Sequence, residues 1–154
     1  MEIERKYLIK SSAPDLQGFK ALDIIQGYIS FSPTIRLRKQ NDSYFLTVKS
    51  SGLLEREEFE LPISHESFEN LWKKIESYPV EKIRYLIPLE NGLTAELDVY
   101  KNDLEPLRTV EVEFESVEAS EAFIPPEWFA EEVTFDHRYK NGNIARNRLN
   151  DIKI

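Results

Sequence analysis

The sequence predicts a β-rich α+β fold, in which an antiparallel sheet of eight strands closes into a barrel with helices packed outside. Apolar and charged residues alternate with a period of two along most of the 154-residue chain, which is typical of strands. Dipeptides that favour tight hairpins separate several of these runs. Like charges also recur on one face of several strands, which favours a closed sheet over an open, wet one. A single domain is expected over residues 1–154.

The predicted strands are the runs with the clearest alternation. They are Glu2 to Lys10, Ile24 to Phe31, Ile35 to Lys39, Ser43 to Lys49, Glu55 to Leu61, Glu81 to Pro88, Leu93 to Val99 and Thr109 to Ser116. Asn41-Asp42 and Asn91-Gly92 lie between such runs and supply the positive-φ residues of tight turns. Strands that are neighbours along the chain should therefore pair in antiparallel fashion.

Helical patterns are fewer than strand patterns. The segment His65 to Tyr78 places its apolar residues on one face, with Ser64 as N-cap and Pro79 as the stop. Weaker patterns predict a helix over Asp15 to Leu22, a short helical turn over Pro126 to Phe129, and a capped terminal helix over Asn141 to Leu149. We expect these helices to cover the outside of the sheet.

Composition limits the classes of ligand. The formal net charge of −8 argues against a generic nucleic-acid binder, because a phosphate backbone would be repelled. The chain has no cysteine, so a metal would take carboxylate oxygens, which favours Mg²⁺ or Mn²⁺ over zinc. No apolar leader opens the chain, and no apolar run is long enough to span a bilayer. These features predict a cytoplasmic protein without a nucleic-acid or membrane partner.

The polar face of the predicted strands carries like charges at alternate positions. The acidic members are Glu2, Glu4, Glu58, Glu60, Glu96, Asp98, Glu111, Glu113 and Glu115, and the basic members are Lys6, Arg36, Arg38, Lys49, Lys82 and Arg84. Residues two apart on a strand point to the same side and lie about 7 Å apart, so these pairs repel each other unless an opposite charge lies between them. The intervening residues are apolar and suit a helix-covered exterior, so the charged face should line the barrel interior.

A ligand for such an interior has to satisfy both signs of charge. Carboxylates bind a hard divalent cation, while arginine and lysine bind phosphate oxygens, so a metal–polyphosphate complex fits. The alternative without a binding site is a solvent-exposed sheet face, since a single pair of like charges two residues apart is common on an exposed strand. His65 and His137 are expected to be capping or surface residues without a catalytic role.

The same residues resemble, in order, the signature of the CYTH superfamily, also called triphosphate tunnel metalloenzymes. The resemblance begins with Glu2-Ile3-Glu4-Arg5-Lys6 and covers nearly the whole chain. Its later elements are Arg36-x-Arg38, Thr47-Val48-Lys49, Arg56-x-Glu58-x-Glu60, Lys82-x-Arg84-Tyr85, Glu96-x-Asp98-Val99-Tyr100, Glu111-Val112-Glu113-Phe114 and Val133-Thr134-x-Asp136-x-Arg138-Tyr139-Lys140-Asn141. Each element is weak alone, whereas their order along the chain is specific.

This resemblance implies an eight-stranded antiparallel tunnel that binds a triphosphate with Mg²⁺ or Mn²⁺ and hydrolyses its terminal phosphoanhydride, most directly in inorganic tripolyphosphate. It implies metal ligation by Glu2, Glu4, Asp98, Glu111 and Glu113, and phosphate binding by Lys6, Arg36, Arg38, Lys49, Lys82, Arg84 and Lys140. We hypothesise that Lys49 and Lys82 stabilise charge during the reaction and that Glu58 or Glu60 aligns the water. The role of Glu115 stays open.

Several alternatives share these motifs. The resembled family includes adenylate cyclases, RNA triphosphatases and thiamine triphosphatases, so ATP and thiamine triphosphate are alternative substrates. A non-catalytic polyphosphate-binding module is another alternative, because the same interior would bind without turnover. Relatives of this type often pair through their outer faces, so a homodimer is compatible with the resemblance, although the sequence does not fix the oligomeric state.

Overall fold

The computed structural model describes residues 1–51 and 54–152 of the chain. In this part of the chain the strands are β1 (Glu2–Ile9), β2 (Lys20–Phe31), β3 (Thr34–Gln40), β4 (Ser43–Lys49), β5 (Glu55–Arg56), β6 (Glu58–Pro62), β7 (Val80–Pro88), β8 (Thr94–Tyr100), β9 (Arg108–Glu113) and β10 (Phe129–Glu132). The helices are α1 (His65–Trp72), α2 (Val117–Ala122) and α3 (Asn141–Asn147). None of these three helices is long and apolar enough to cross a membrane.

The strands form one antiparallel sheet that closes into a barrel. Their order is β10-β1-β9-β8-β7-β2-β3-β4-β6, and β5 pairs with β1. A single residue, Glu57, separates β5 from β6, while β5 pairs with β1 and β6 pairs with β4. One stretch of chain therefore joins the two ends of the sheet. With β5 and β6 counted as the one predicted strand, the barrel has the eight strands expected, and β10 adds to β1 beside β5.

The strand register explains why one face of the sheet is charged and the other apolar. Glu4 lies opposite Glu113 and Lys6 lies opposite Glu111, while Arg5 lies between them opposite Val112. Because neighbouring residues alternate sides, the acidic and basic members face one side together. The apolar members between them, such as Leu97, Val110 and Val112, are fully buried on the other side.

Two apolar cores support this arrangement. The first lies on the outer surface of β1, β8 and β9, where Val112 and Phe114 cluster with Phe129 and the partly buried Phe123. The second lies at one end of the barrel, where Tyr28, Val80 and Tyr100 cluster with Ile144 and Ala145 of α3. The Tyr100 hydroxyl also donates a hydrogen bond of 2.6 Å to the Asn141 side-chain oxygen, so α3 is fastened to this end.

Most predicted elements are confirmed, with shifted bounds. Asn41, Asn91 and Gly92 have φ angles of 51°, 62° and 75°, as the hairpin prediction required. The helix predicted over His65 to Tyr78 ends at Trp72. Its extension is prevented because the backbone N–H of Glu76 donates to the Tyr28 carbonyl of β2 rather than continuing a helix.

Two predictions of local structure are wrong, and a third holds in part. The helix predicted over Asp15 to Leu22 does not form, because Gly18 takes a φ of 90° and β2 already begins at Lys20. The turn predicted over Pro126 to Phe129 forms, since the Phe129 amide donates to the Pro126 carbonyl, but Phe129 already belongs to β10. The strand predicted to reach Ser116 ends at Glu113, since Ser116 instead caps α2 by accepting a hydrogen bond from the Ala119 amide. Neither α2 nor β10 was predicted.

Candidate functional site

The charged face of the sheet surrounds a cavity of about 390 Å³. The residues that were predicted to face the barrel interior or to form a site and that line this cavity are Glu2, Glu4, Lys6, Arg36, Arg38, Lys49, Glu58, Glu60, Arg84, Glu96, Glu111, Glu113 and Lys140. Lys82 and Asp98 are fully buried and lie outside this lining set. Glu115 follows the end of β9, is exposed and does not line the cavity.

An acidic wall, formed by Glu4 of β1 with Glu111 and Glu113 of β9, holds carboxylates that crowd one another. Burial and repulsion from Glu111 raise the pKa of Glu4 well above its usual range, although the Arg56 guanidinium lies 2.7 Å away and acts in the opposite direction. Burial also disfavours the charged form of Glu111, but Lys6 and a hydrogen bond with Glu4 hold the pKa of Glu111 well below the usual range. Glu4 and Glu111 therefore titrate as a coupled pair, in which burial and repulsion favour the neutral form of Glu4 while Lys6 favours the charged form of Glu111.

The rest of this wall shows the same excess of negative charge. Burial and repulsion from Glu2 and Glu96 raise the pKa of Glu113. One oxygen of Glu111 is buried without a hydrogen-bond partner, although the Lys6 ammonium lies 3.5 Å from it. No three acidic or histidine side chains of the described residues are already gathered closely enough to hold a metal ion. The donor set nevertheless suits a hard cation, because it consists of carboxylate oxygens whose mutual repulsion a bound cation would relieve.

A cationic wall, formed by Arg36 and Arg38 of β3, has the opposite excess. Arg36 is 5% exposed and donates to the Thr47 hydroxyl at 3.2 Å, while Arg38 donates to the Gln26 side-chain oxygen at 3.0 Å. Within residues 1–51 and 54–152, neither guanidinium forms an ion pair with a carboxylate. Burial, together with repulsion from Arg36 and Arg84, lowers the pKa of Arg38 to about 9. The two guanidinium groups therefore form a cationic surface without a carboxylate partner among the described residues.

Between the two walls lies a group of ion pairs, in which each carboxylate contacts a lysine or an arginine. The Lys49 ammonium contacts both oxygens of Glu2, at 3.0 and 3.1 Å, and lies 3.3 Å from Glu58. Burial raises the pKa of Glu58, as does a hydrogen bond shared with Glu2, whereas Lys49 holds the pKa of Glu2 low against its burial. Arg56 bridges Glu2 and Glu4 at 2.9 and 2.7 Å.

A buried triad lies behind the cavity wall and orients Arg84. Asp98 accepts two hydrogen bonds from the Arg84 guanidinium, at 2.8 and 3.0 Å, and its second oxygen lies 2.8 Å from the Lys82 ammonium. Despite burial, Arg84 and Lys82 lower the pKa of Asp98 to about 2. Burial lowers the pKa of Lys82 to about 7, against the attraction of Asp98. Only Arg84 of this triad reaches the cavity, where it also lies 3.4 Å from Glu96.

The C-terminal segment completes the mouth of the cavity. The Lys6 ammonium donates to the Tyr139 carbonyl at 2.6 Å, which ties β1 to this segment. Burial and the nearby cations Arg56 and Lys49 lower the pKa of Lys140, which lines the cavity. His137, expected to be a surface residue, is exposed and lines the mouth.

Two arginines of the cavity, Arg56 and Arg146, had no predicted role in the site. Arg56 pairs with two glutamates of β1, whereas the sequence predicted only that it belongs to a motif shared with Glu58 and Glu60. The signal was present, because Arg56, Glu58 and Glu60 occupy alternate positions of one strand pattern. Because these three side chains point to the same side of the strand, the sequence predicts that they line the same cavity.

Comparison with known proteins connects this geometry to a family. The model of the CYTH domain family matches residues 1–143. The chain belongs to the CYTH domain family. CYTH enzymes of the triphosphatase type depend on a metal ion, in agreement with the oxygen donors of the acidic wall.

Individual CYTH proteins are similar over almost their whole length. An inorganic triphosphatase of Nitrosomonas europaea is 49% identical over 148 residues, covering 94% of this chain and 96% of that protein. An inorganic triphosphatase of Acetivibrio thermocellus is 36% identical over 157 residues, covering 99% and 97%. Among solved structures, the inorganic triphosphatase NE1496 is 45% identical, covers 94% of each chain and superposes with a TM-score of 0.68. The barrel is therefore the tunnel fold of this CYTH family.

Proposed function

We propose that this chain is a metal-dependent hydrolase of linear triphosphates, most directly inorganic tripolyphosphate. One observation carries the proposal: a single cavity is lined on one side by the crowded carboxylates Glu4, Glu111 and Glu113, and on the other by Arg36 and Arg38, which have no carboxylate partner among the described residues. A polyanion bound with a divalent cation satisfies both walls together. Two relatives named inorganic triphosphatase, at 49% and 36% identity, support this choice of substrate.

Mg²⁺ or Mn²⁺ fits the acidic wall, where Glu4 and Glu111 would hold the ion through their carboxylate oxygens. Glu2 and Glu113 line the same cavity and would complete the protein ligands. A bound ion of this kind neutralises phosphate charge and lowers the pKa of a water molecule. Asp98 was also expected to be a ligand, but both of its oxygens face Arg84 and Lys82. We propose that Asp98 positions Arg84 instead.

The cationic residues would hold the phosphate groups from several sides. Arg36 and Arg38 present guanidinium groups that suit two oxygens of one phosphate. Lys6, Lys49, Arg84 and Lys140 line the cavity around them. Lys82 was expected to contact phosphate, but its ammonium is buried against Asp98, so its proposed contribution passes through Asp98 to Arg84.

In the proposed reaction, a water oxygen attacks the terminal phosphorus and the bond from that phosphorus to the bridging oxygen breaks. Pyrophosphate leaves with the bonding electron pair. Glu58 and Glu60 of β6 line the cavity and are proposed to align the water. The raised pKa of Glu58 suits it to accept the proton that the water loses. Arg36, Arg38 and Lys49 would stabilise the charge that develops on the departing pyrophosphate.

The test is to supply tripolyphosphate, ATP and thiamine triphosphate separately, each with Mg²⁺ or Mn²⁺, and to identify the products. We expect tripolyphosphate to give phosphate and pyrophosphate in equal amounts and to be the fastest substrate. Cyclic AMP from ATP would support a cyclase, and tight binding without phosphate release would support a binding module. The Arg146 guanidinium lies 4.0 Å from the centre of the Phe31 ring at the mouth, which leaves little of this aromatic face for a nucleobase.

Two further expectations stay predictions, namely a cytoplasmic location and a homodimer formed through the outer faces. Phe59 and Leu61 alternate with Glu58 and Glu60 on β6 and are 59% and 44% exposed. They are therefore the first positions at which to look for an interface. Light scattering of the Phe59→Glu variant beside the unmodified protein measures whether this face pairs.

A further inference from the structure

A second cavity adjoins the mouth of the charged one. Its volume is about 330 Å³, and four of its lining residues, Phe31, Thr34, His137 and Lys140, also line the first cavity. The two spaces therefore share part of their boundary. A linear ligand that extends out of the first cavity on this side reaches the second one next.

The second cavity differs from the first in its charge. Seven glutamates line the first cavity, whereas the described residues that line the second include no carboxylate. Its ionisable side chains are His137 and Lys140, both of which are bases. A divalent cation would find no anionic oxygen ligand here, so this space suits an anion that is not bound through a metal.

Hydroxyl groups supply the remaining polar surface of this second cavity. Ser32, Ser50 and Ser51 line it, and each hydroxyl is able to donate a hydrogen bond. The Ser50 hydroxyl already accepts a hydrogen bond of 2.8 Å from the Glu57 amide, so its own hydrogen points elsewhere. Several hydroxyl donors beside a lysine and a histidine form a suitable environment for phosphate oxygens.

We propose that the second cavity is a subsite for a fourth phosphate of a linear inorganic polyphosphate whose other three phosphates occupy the first cavity. This inference rests on the proposed function, because the chain of phosphates has to occupy the first cavity. Lys140 lines both spaces and would contact phosphates on both sides of the boundary. The protein would then bind tetraphosphate more tightly than tripolyphosphate.

The test uses linear tetraphosphate as a competitor of tripolyphosphate hydrolysis at a fixed Mg²⁺ concentration. For the unmodified protein we expect a tetraphosphate Ki about tenfold below the tripolyphosphate KM, because the fourth phosphate adds charge-assisted hydrogen bonds. Equal values for the two compounds would overturn the subsite. ATP, which has three phosphates, should show no such gain.

Substitution of Ser32 separates the subsite from the main cavity, because Ser32 lines only the second cavity and is exposed. Ser32→Asp places a carboxylate in the acid-free cavity and should raise the tetraphosphate Ki about tenfold by repulsion, leaving the tripolyphosphate KM within about twofold. Ser32→Asn has the same shape without the charge and is the matched control. Ser51→Asp provides an independent second variant with the same expectation.

The possible failures are distinguishable. If both aspartate variants weaken tetraphosphate and tripolyphosphate equally, or weaken neither, the subsite assignment is wrong while the hydrolase assignment stands. If the unmodified protein releases no phosphate from tripolyphosphate, the proposed function is wrong. Titration calorimetry of both compounds with Mg²⁺ then measures the affinity difference directly, and equal affinities would also refute the subsite.

Discussion

The acidic and cationic walls are built in the same way but respond differently to the absence of a ligand. Both place like charges at alternate positions of the strands, on β1 and β9 in the acidic wall and on β3 in the cationic wall, so that these side chains line one cavity. The repulsion within the acidic wall raises the pKa of Glu4 and favours its neutral form, whereas arginine does not lose its proton at neutral pH. The cationic wall therefore keeps its excess charge, and the acidic wall presents carboxyl groups whose repulsion a metal ion would relieve. Because of this difference, the cationic wall suits a polyanion and the acidic wall suits a cation, and both can bind in the same cavity.

Glu4→Gln is the most direct test of the acidic wall as a metal site. We expect kcat/KM for tripolyphosphate to fall about a thousandfold, because the amide is a poor ligand for the cation that neutralises the phosphates. The raised pKa of Glu4 favours its neutral form, and glutamine keeps the side-chain shape and an oxygen that accepts the Arg56 hydrogen bond, so the melting temperature in chelator should change little. The matched control is Glu115→Gln at an exposed glutamate outside the cavity, and near-normal turnover of Glu4→Gln would refute the metal assignment.

Asp98→Asn tests the buried triad that orients Arg84. Arg84 and Lys82 would lose their buried counter-ion, so the free energy of unfolding measured in urea at pH 7 should fall by about 3 kcal/mol. Asp103→Asn, at an exposed position, is the control. If Asp98 positions Arg84 rather than binding metal, the variant should keep its thermal response to Mg²⁺ or Mn²⁺. Loss of that response would restore Asp98 as a ligand.

Neutralising the cationic wall itself should separate activity from stability. For Arg36→Gln we expect kcat/KM to fall about a hundredfold, because a charge that stabilises the leaving phosphates is lost. The melting temperature should stay the same or rise, since Arg36 is buried without an ion pair in the described part of the chain. Lys39→Gln changes a cation on the opposite face of the same strand and should affect neither. A clear loss of stability in Arg36→Gln would show that this charge is compensated after all.

The increase in stability on ligand binding measures whether the two walls bind their ligands cooperatively. We expect a divalent ion and a non-hydrolysable triphosphate analogue together to raise the free energy of unfolding by about 2.7 kcal/mol at a hundred times the dissociation constant. For a chain of this length that is a rise of about 8 °C in melting temperature. The joint shift should exceed the sum of the two separate shifts, and Glu4→Gln should remove the excess. Additive shifts would mean that the walls bind their ligands independently.

The pH dependence of stability gives the smallest and most specific effect. A carboxyl whose pKa is raised by folding stabilises the fold at low pH, and that contribution is lost as pH rises through the raised value. In chelator, Glu4 should therefore lower the melting temperature as pH rises above its ordinary pKa of 4.5. Asp98 acts in the opposite sense, because its contribution is lost only as pH falls from 3.8 toward about 2. Glu4→Gln should flatten the first slope, and saturating metal should do the same.

Much of the site follows from the alternation along each strand. Glu2, Glu4 and Lys6 share a face because successive side chains point to opposite sides, and this holds wherever a strand forms. The same rule identifies Arg36 with Arg38 and Glu58 with Glu60. It fails at Glu115, where the strand has already ended at Glu113 and the capping of α2 begins. It also does not separate Lys82 from Arg84, which alternate alike although only Arg84 reaches the cavity.

By itself, the sequence determined which side chains share a face, because a period of two is a property of local backbone geometry. The tertiary structure decided which charges meet a partner, since register and closure bring Arg56 to Glu2 and Glu4 but bring no carboxylate to Arg36 within the described residues. It also decided that the C-terminal segment meets the turn after β2 and encloses the second cavity. These distances join residues far apart in the chain, so they depend on the packing of the whole barrel.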